Sequence, residues 1–139
     1  MPITDDEGLR ELLDYDTIAV IGCSSSPGKA AHDIPKYLRE QGYEVIPVNP
    51  FADEIFGREP YDSLAEVEED IEMVEVFRPS MEVPSVVEQV IARSISRQDV
   101  EAIWLQLGIS HDEAAERAED EGLKVVQDKC MKVEHERLF

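Results

Sequence analysis

The sequence predicts an α/β fold in which helices cover both faces of a mostly parallel sheet of about five strands. Short apolar runs typical of strands alternate along the chain with segments whose apolar residues repeat at helical spacing. The first run contains no polar residue, which is typical of a strand buried on both faces. Helices between consecutive strands favour parallel pairing, because each connection must cross back over the sheet. These observations predict a doubly wound, Rossmann-like architecture.

The N-terminal half predicts a short helix followed by a strand, a crossover helix and a second strand. Thr4 and Glu7 have the spacing of a capping box at the start of the first helix. Pro47 lies inside the second strand, and a proline donates no hydrogen bond to a sheet, so this strand is expected to be frayed or at an edge. The expected elements are the strand Ile18–Ile21, a helix from Ala30 that is closed by Gly42, and the strand Glu44–Val48.

The C-terminal half predicts three more strands with helices between them. Residues 51–60 contain glycine, proline and charges and are expected to form a loop over the site, with a short strand at Glu54–Phe56. The further expected elements are a short acidic helix opened by a capping box at Ser63–Glu66, the alternating strand Ile71–Phe77, an amphipathic helix from Ser80, the strand Glu101–Leu107, a helix that begins with a capping box at Ser110–Glu113, the strand Leu123–Val126 and a polar tail containing His135.

Length and composition favour a single domain over residues 1–139, with residues 1–14 as an N-terminal helical extension. An apolar content of 42% suffices for one hydrophobic core, and a chain of 139 residues is too short for two ordinary domains. It has no apolar run long enough to span a membrane and no signal-peptide pattern at its start. Two cysteines far apart in sequence suit a reducing compartment, so a cytoplasmic location is expected.

The charge balance restricts the partners that the protein can have. The chain carries 32 acidic and 13 basic residues, for a formal net charge of −19, and the acids are spread along its length. This pattern is typical of a solvated acidic surface such as that of proteins adapted to high salt. The same charge argues against nucleic acids and anionic membranes as partners. The sequence leaves a homo-oligomer open.

The stretch Thr17–Lys29 carries the main functional signal, because a strand runs through a loop of small residues into a helix. In a doubly wound sheet this junction lies at the carboxyl edge, where free N–H groups and a helix N-terminus can hold a phosphate. The hydroxyls of Ser24, Ser25 and Ser26 and the charge of Lys29 would complete a phosphate cradle. The alternative is an ordinary polar turn between a strand and a helix.

Two nucleotide-binding motifs fit this loop incompletely. The motif G-x-G-x-x-G requires glycines where Ser24 and Pro27 stand, and Asn49 replaces the acid expected after the second strand. A P-loop, G-x-x-x-x-G-K-[ST], would need a loop one residue shorter and a hydroxyl where Ala30 stands. Neither a dinucleotide site of the usual kind nor a P-loop is therefore expected.

Metal and nucleophile chemistry has little support in the residue spacing. Cysteines and histidines do not fall at C-x-x-C or H-x-x-x-H spacing, so no metal site is expected. No nucleophile stands beside a base and an orienting acid, so no catalytic residue is expected either. Proximity to a helix N-terminus would lower the pKa of the Cys23 thiol, whereas burial would make Cys23 a small core residue.

Seven short stretches form a specific combination over nearly the whole chain after the N-terminal helix. They are I-A-V-I-G at Ile18–Gly22, S-S-S-P-G-K-A at Ser24–Ala30, K-Y-L at Lys36–Leu38, G-Y-E-V-I-P-V-N-P at Gly42–Pro50, V-F-R-P at Val76–Pro79, W-L-Q-L-G at Trp104–Gly108 and D-K-C-M-K-V-E at Asp128–Glu134. In these stretches the chain resembles the small stand-alone CoA-binding proteins, whose relatives include the N-terminal domain of the succinyl-CoA synthetase α subunit.

The resemblance implies a Rossmann-like domain that binds coenzyme A or an acyl-CoA through loops at the carboxyl ends of its strands. The synthetases use a phosphorylated histidine and a grasp domain outside this domain, and 139 residues leave room for neither, so ligase activity is not expected. The cofactor-binding residues that the resemblance implies are Gly22, Cys23, Ser24, Ser25, Ser26, Pro27, Lys29, Asn49, Pro50, Phe77, Arg78, Pro79, Leu107 and Gly108.

Two functions from different classes follow from these observations. The first is a non-catalytic module that binds CoA as a sensor, carrier or regulator. The second is a nucleotide-dependent enzyme, such as an NAD(P)-type oxidoreductase, that uses the same crevice. The sequence favours the first, because the dinucleotide fingerprint is broken and no acid–base pair is evident.

Overall fold

The computed structural model describes residues 1–139 and confirms the predicted α/β, Rossmann-like fold. The strands are β1 (Thr17–Ile21), β2 (Glu44–Val48), β3 (Met73–Val76), β4 (Ala102–Leu105) and β5 (Lys124–Val126). The helices are α1 (Asp6–Leu13), α2 (Ala30–Glu40), α3 (Val83–Arg97), α4 (Asp112–Asp120) and α5 (Met131–Leu138), with 3₁₀ turns at Leu64–Glu66 and Ser80–Glu82. All strand pairs are parallel, in the order β2-β1-β3-β4-β5. No helix has the length and apolar character needed to cross a membrane.

Two apolar layers cover the two faces of the sheet. Ile18, Val20 and Trp104 project into the layer formed with α1, α2 and α5. Ala19 and Val74 project into the layer formed with α3 and α4. Because helices cover both faces, a ligand of the sheet must approach it at an edge or at the strand ends.

Pro47 is tolerated because of the direction in which its backbone points. β2 is an edge strand, and the Pro47 carbonyl faces away from β1 and accepts a hydrogen bond from the Tyr61 amide at 3.1 Å. The N and C=O groups of one strand residue point the same way, so the missing N–H of Pro47 lies on the outer edge of the sheet. No hydrogen bond to β1 is lost, and β2 keeps all five expected residues.

The predicted caps of α1 and α4 are wrong by one residue. Asp5, and not Thr4, caps α1, because its carboxylate accepts a hydrogen bond from the Gly8 amide at 3.0 Å. His111, and not Ser110, caps α4, because its Nδ1 atom accepts a hydrogen bond from the Ala114 amide at 3.1 Å. Both helices still begin where acidic residues favour a helix N-terminus.

The connection from β2 to β3 contains less regular structure than the sequence predicts. Ser63 makes no capping hydrogen bond, and the expected short helix is the single 3₁₀ turn Leu64–Glu66. The expected strand at Glu54–Phe56 is reduced to one bridge between Ile55 and Arg58. A single turn suffices here because Leu64 is buried against the core and replaces the apolar face of a crossover helix.

The expected polar tail is the helix α5. Its first residue, Met131, is buried in the core. The Nδ1 atom of His135 lies 2.8 Å from the Tyr37 hydroxyl of α2. The imidazole also stacks on Phe139, with ring centroids 5.2 Å apart. His135 therefore joins α5 to α2 and does not lie in a solvated tail as predicted.

Candidate functional site

The crevice of this sheet lies between β1 and β3, where the strand order reverses. Open α/β sheets bind ligands outside the carboxyl ends of the strands at such a point. Gly22 follows β1 there, with φ at +82°. A Cβ atom on Gly22 would lie 2.9 Å from the Cδ atom of Arg78 and 3.1 Å from the carbonyl oxygen of Phe77. Only glycine fits this close approach between the loops that follow β1 and β3.

A cavity of about 500 Å³ opens at this point. Its walls come from the ends of β1, β2 and β3, from the segment around the first 3₁₀ turn, and from the first turns of α3. The lining residues are Ile21, Gly22, Val48, Asn49, Pro50, Phe51, Asp62, Ser63, Leu64, Arg78, Glu82, Ser85, Val86 and Gln89. The cavity thus brings together four of the implied residues: Gly22, Asn49, Pro50 and Arg78.

Most of the remaining lining residues were not predicted from the sequence. Ser85 and Gln89 reach the cavity because α3 begins beside the loop that follows β3, and this packing leaves no local signal in the sequence. Phe51 is 90% exposed and directly follows the V-N-P stretch. Its position next to Pro50 is the signal by which the sequence could have indicated it as a lining residue.

The serine-rich loop lies next to the cavity and uses part of its own hydrogen-bonding capacity. The Ser26 amide donates to the Ser24 hydroxyl at 3.0 Å, and the Ser24 amide donates to the Ala31 carbonyl at 2.9 Å. No protein acceptor pairs with the amides of Ser25, Ala30 and Ala31 or with the hydroxyls of Ser25 and Ser26. These free donors surround the N-terminus of α2, where a helix dipole favours an anion.

Asp33 places a negative charge within the same loop. Its Oδ1 atom accepts a hydrogen bond from the Gly28 amide at 3.1 Å and lies 3.0 Å from the Nδ1 atom of His32. The His32 side chain, followed by the Gly28 amide, lowers the pKa of the Asp33 carboxyl. An incoming phosphate would therefore meet a carboxylate beside the free donors.

The two cations expected at the site differ in their partners. Lys29 is exposed at the N-cap position of α2 and takes part in no ion pair. Arg78 forms two hydrogen bonds to the Glu82 carboxylate, at 3.2 and 2.9 Å, and both side chains are about half exposed. Lys29 thus provides the unpaired positive charge of the loop.

Asn49 joins the loops that follow β1 and β2. Its side-chain Nδ2 atom donates to the Cys23 carbonyl at 2.8 Å, and its Oδ1 atom accepts from the Phe51 amide at 2.7 Å. An acid at this position could not donate the first of these bonds. The asparagine that breaks the dinucleotide fingerprint therefore has a structural role in this protein.

Cys23 faces the core and not the crevice. Its side chain is fully buried, and burial, together with the charge of Glu75, raises the pKa of the thiol to about 12. The thiol therefore stays protonated at neutral pH and supplies no nucleophile. Any contact of Cys23 with a ligand must come from its backbone. No group of three or more His, Cys, Asp or Glu side chains is arranged to hold a metal ion.

The other implied residues lie on the same edge without lining the cavity. Pro79 and Leu107 are exposed, and Phe77 is half-buried in the loop after β3. The Gly108 amide donates to the Asp128 carboxylate at 2.7 Å, which ties the loop after β4 to the segment after β5. Together with Pro27 in the serine loop, these residues extend the candidate site from β1 to β4.

Comparison with known proteins identifies the relatives of this chain. A family model described as a CoA binding domain matches residues 16–136. The uncharacterized protein YneT of Bacillus subtilis is 37% identical over 128 residues, which is 91% of each chain. A solved structure of a hypothetical protein from Pyrococcus horikoshii OT3 has a TM-score of 0.89 and 38% identity, and covers 99% of this chain and 96% of that one.

Part of the chain is also similar to a much larger enzyme. An ADP-forming acetate–CoA ligase of Methanocaldococcus jannaschii is 38% identical over 73 residues. That match covers 52% of this chain and 10% of the ligase. The chain therefore corresponds to a small part of that enzyme.

Proposed function

Because the chain belongs to the CoA binding domain family, we propose that it binds coenzyme A or an acyl-CoA at the carboxyl ends of its strands. In this proposal the protein is a non-catalytic binding or regulatory module. It rests above all on one observation: a set of free hydrogen-bond donors lies beside a cavity of about 500 Å³ at the point where the strand order reverses.

The phosphates of CoA fit the serine loop by charge and by hydrogen bonding. Free amides at Ser25 and Ala30, the Ser26 hydroxyl and the Lys29 ammonium are the donors that a pyrophosphate requires. Such short-range contacts must supply the affinity, because the net charge of −19 repels an anion at long range.

The cavity fits an uncharged part of the ligand. Ile21, Val48 and Leu64 form apolar walls, while Asp62 and Glu82 would repel a phosphate. Arg78 is the one cation in the lining, and its exposed pair with Glu82 is worth about 1 kcal/mol or less. A phosphate at the cavity mouth can therefore compete with Glu82 for the guanidinium.

The test is a calorimetric titration of CoA into the wild type and single variants at one fixed high salt concentration. Lys29→Ala should weaken binding roughly tenfold or more, because a charge-assisted phosphate bond is lost. Arg78→Ala should also weaken binding. Asp33→Asn should strengthen binding about two- to fivefold, since it removes a carboxylate from the helix N-terminus.

Lys36→Ala is the matched control. It removes the same charge from the exposed face of the same helix, seven residues beyond Lys29, and should leave affinity within about twofold of the wild type. Equal loss in Lys29→Ala and Lys36→Ala would mean that only the overall charge matters. Binding of NAD or NADP without binding of CoA would contradict the proposal and support a nucleotide-dependent enzyme.

A further inference from the structure

Glu75 is an acidic side chain in β3, the central strand of the sheet. Its Cα atom pairs with that of Val20 on β1 and that of Trp104 on β4. The side chain is 0% exposed, and neither carboxyl oxygen has a hydrogen-bond partner. An ionised carboxylate in such a position is strongly disfavoured, because nothing replaces its lost hydration.

Burial alone determines the protonation state of this carboxyl group. It raises the pKa of Glu75 from 4.5 to about 8, and no cation lowers it. The carboxyl is therefore mostly protonated at neutral pH and becomes charged within a pH range that cells and buffers reach.

The elements packed around Glu75 offer it almost no compensating charge. The residues that α1, α2 and α5 bury in the same layer are all apolar: Leu9, Leu12, Leu13, Ile34, Leu38 and Met131. The titratable side chains Tyr15, Tyr37 and Cys130 pack against the layer, and none of them can carry a positive charge. Cys23 is a titratable side chain in this layer, and its pKa is raised by the charge of Glu75 in addition to burial. Tyr43, on the segment before β2, also feels this charge, as the smallest of the causes that raise its pKa.

Cys23 links the buried carboxyl to the ligand loop. It lies three residues beyond Val20, the strand partner of Glu75, and its side chain enters the same apolar layer. Its carbonyl is held by the Asn49 side chain, and Ser24, the next residue, begins the loop that ends at Lys29. The unpaired carboxyl thus lies beneath the base of the loop, on the face that α2 covers.

We infer that Glu75 makes ligand binding at the Ser24–Lys29 loop depend on a buried proton: the neutral carboxyl permits an anionic ligand, and the carboxylate opposes it. This inference rests on the proposed function. A unit charge about 10 Å from a phosphate, at an effective dielectric constant near 20, changes affinity by about tenfold. By linkage, the ligand favours the protonated carboxyl, and binding near pH 8 takes up protons.

The experiment compares CoA binding by the wild type and Glu75→Gln from about pH 6.5 to about pH 9 at one fixed moderate salt concentration, because molar salt would screen an interaction over about 10 Å. Glutamine keeps the shape of the neutral acid and cannot ionise. The ratio of the two dissociation constants removes every pH effect that both proteins share, including ionisation of the ligand. Wild-type binding should weaken about fivefold relative to Glu75→Gln across this range, since the full tenfold effect requires a pH above the raised pKa of the bound state.

Glu101→Gln is the matched control, because it removes an exposed carboxylate at the amino end of β4. Its pH dependence should follow that of the wild type. Proton uptake by the wild type, measured at about pH 8 in buffers of different ionisation enthalpy, gives a second test that needs no variant. A constant ratio, or binding without proton uptake, would overturn the inference. Absence of CoA binding at every pH would contradict the proposed function itself.

Discussion

Glu75 also bears on folding, independently of any ligand. The alternating run around it is typical of a strand with one solvated face, yet β3 lies at the centre of the sheet and is buried on both faces. The sheet therefore holds a carboxyl group whose charged form is unfavourable in the folded protein and favourable in the unfolded chain.

This difference predicts that the stability of the folded state depends on pH. The folded pKa of Glu75 is about 8 against an ordinary value of 4.5, so its favourable contribution is complete below pH 4.5 and is lost as pH rises through 8. The free energy of unfolding of the wild type, measured by urea titration in molar KCl, should therefore fall relative to that of Glu75→Gln between about pH 5 and about pH 9. A difference between the two proteins that does not change with pH would refute this prediction.

Single residues also show how far the sequence could predict the candidate site. Gly22 and Lys29 stood out because the end of a strand and the start of a helix are both local patterns. Asp33 did not, because its effect on the loop arises only when the first turn of α2 brings its carboxylate to the Gly28 amide. Pairing of Arg78 with a neighbouring carboxylate was an alternative that the sequence left open, and folding determines that Glu82 is the partner.

At the scale of whole elements, the strands were predicted best. Each observed strand lies within two residues of its expected bounds, since short apolar runs between polar turns locate buried parallel strands. α5 was missed because it has few apolar residues and depends on contacts of Met131 and His135 with the rest of the protein. Sequence periodicity does not record such contacts.

The segment between β2 and β3, which forms one wall of the cavity, is held by α3. Arg93 of α3 is 4% exposed, and its guanidinium donates to the carbonyls of Leu64, Val67 and Glu69 at 2.7–2.9 Å. It also pairs with Asp99 at 2.9 Å. A single buried side chain thus provides much of the polar contact that orders this segment.

Replacing Arg93 should therefore destabilise the segment between β2 and β3 more than the rest of the protein. Arg93→Met removes a donor from three carbonyls and the cationic partner from the buried Asp99 carboxylate, and should cost roughly 3–5 kcal/mol of unfolding free energy. Amide hydrogen exchange should rise most in residues 60–71. Arg97→Met is the control, because Arg97 also donates to this segment, at the Val67 and Glu68 carbonyls, but is 39% exposed. Water can replace its bonds, and its 3.5 Å pair with Asp70 should contribute about 1 kcal/mol or less, so the loss should be clearly smaller. Equal effects of the two variants would refute this role of Arg93.

For the molecule as a whole, the dominant property is charge. Seven of the 13 lysine and arginine side chains pair with carboxylates, so most of the 32 acidic groups have no cationic partner. Their mutual repulsion opposes the compact state at low ionic strength.

Screening of that repulsion should make the fold more stable as salt increases. The Debye length falls from about 10 Å at 0.1 M salt to about 3 Å at 1 M, so the melting temperature should rise steadily from dilute buffer to molar KCl. NaCl at equal ionic strength should give a similar curve, because screening does not depend on the identity of the cation. A melting temperature that stays constant across the series would contradict the prediction that repulsion between carboxylates destabilises the fold.

Pro47 has a consequence for encounters between molecules. The outer edge of β2 is where a foreign extended chain would add itself to the sheet through backbone hydrogen bonds. Such a chain would meet a residue without an N–H at Pro47 and, at Asn49, an amide already donated to the Tyr61 carbonyl at 2.9 Å. At the opposite edge β5 offers only three residues. The sheet is thereby protected against strand addition and edge-to-edge aggregation, even when molar salt has screened the repulsion that keeps copies of the protein apart.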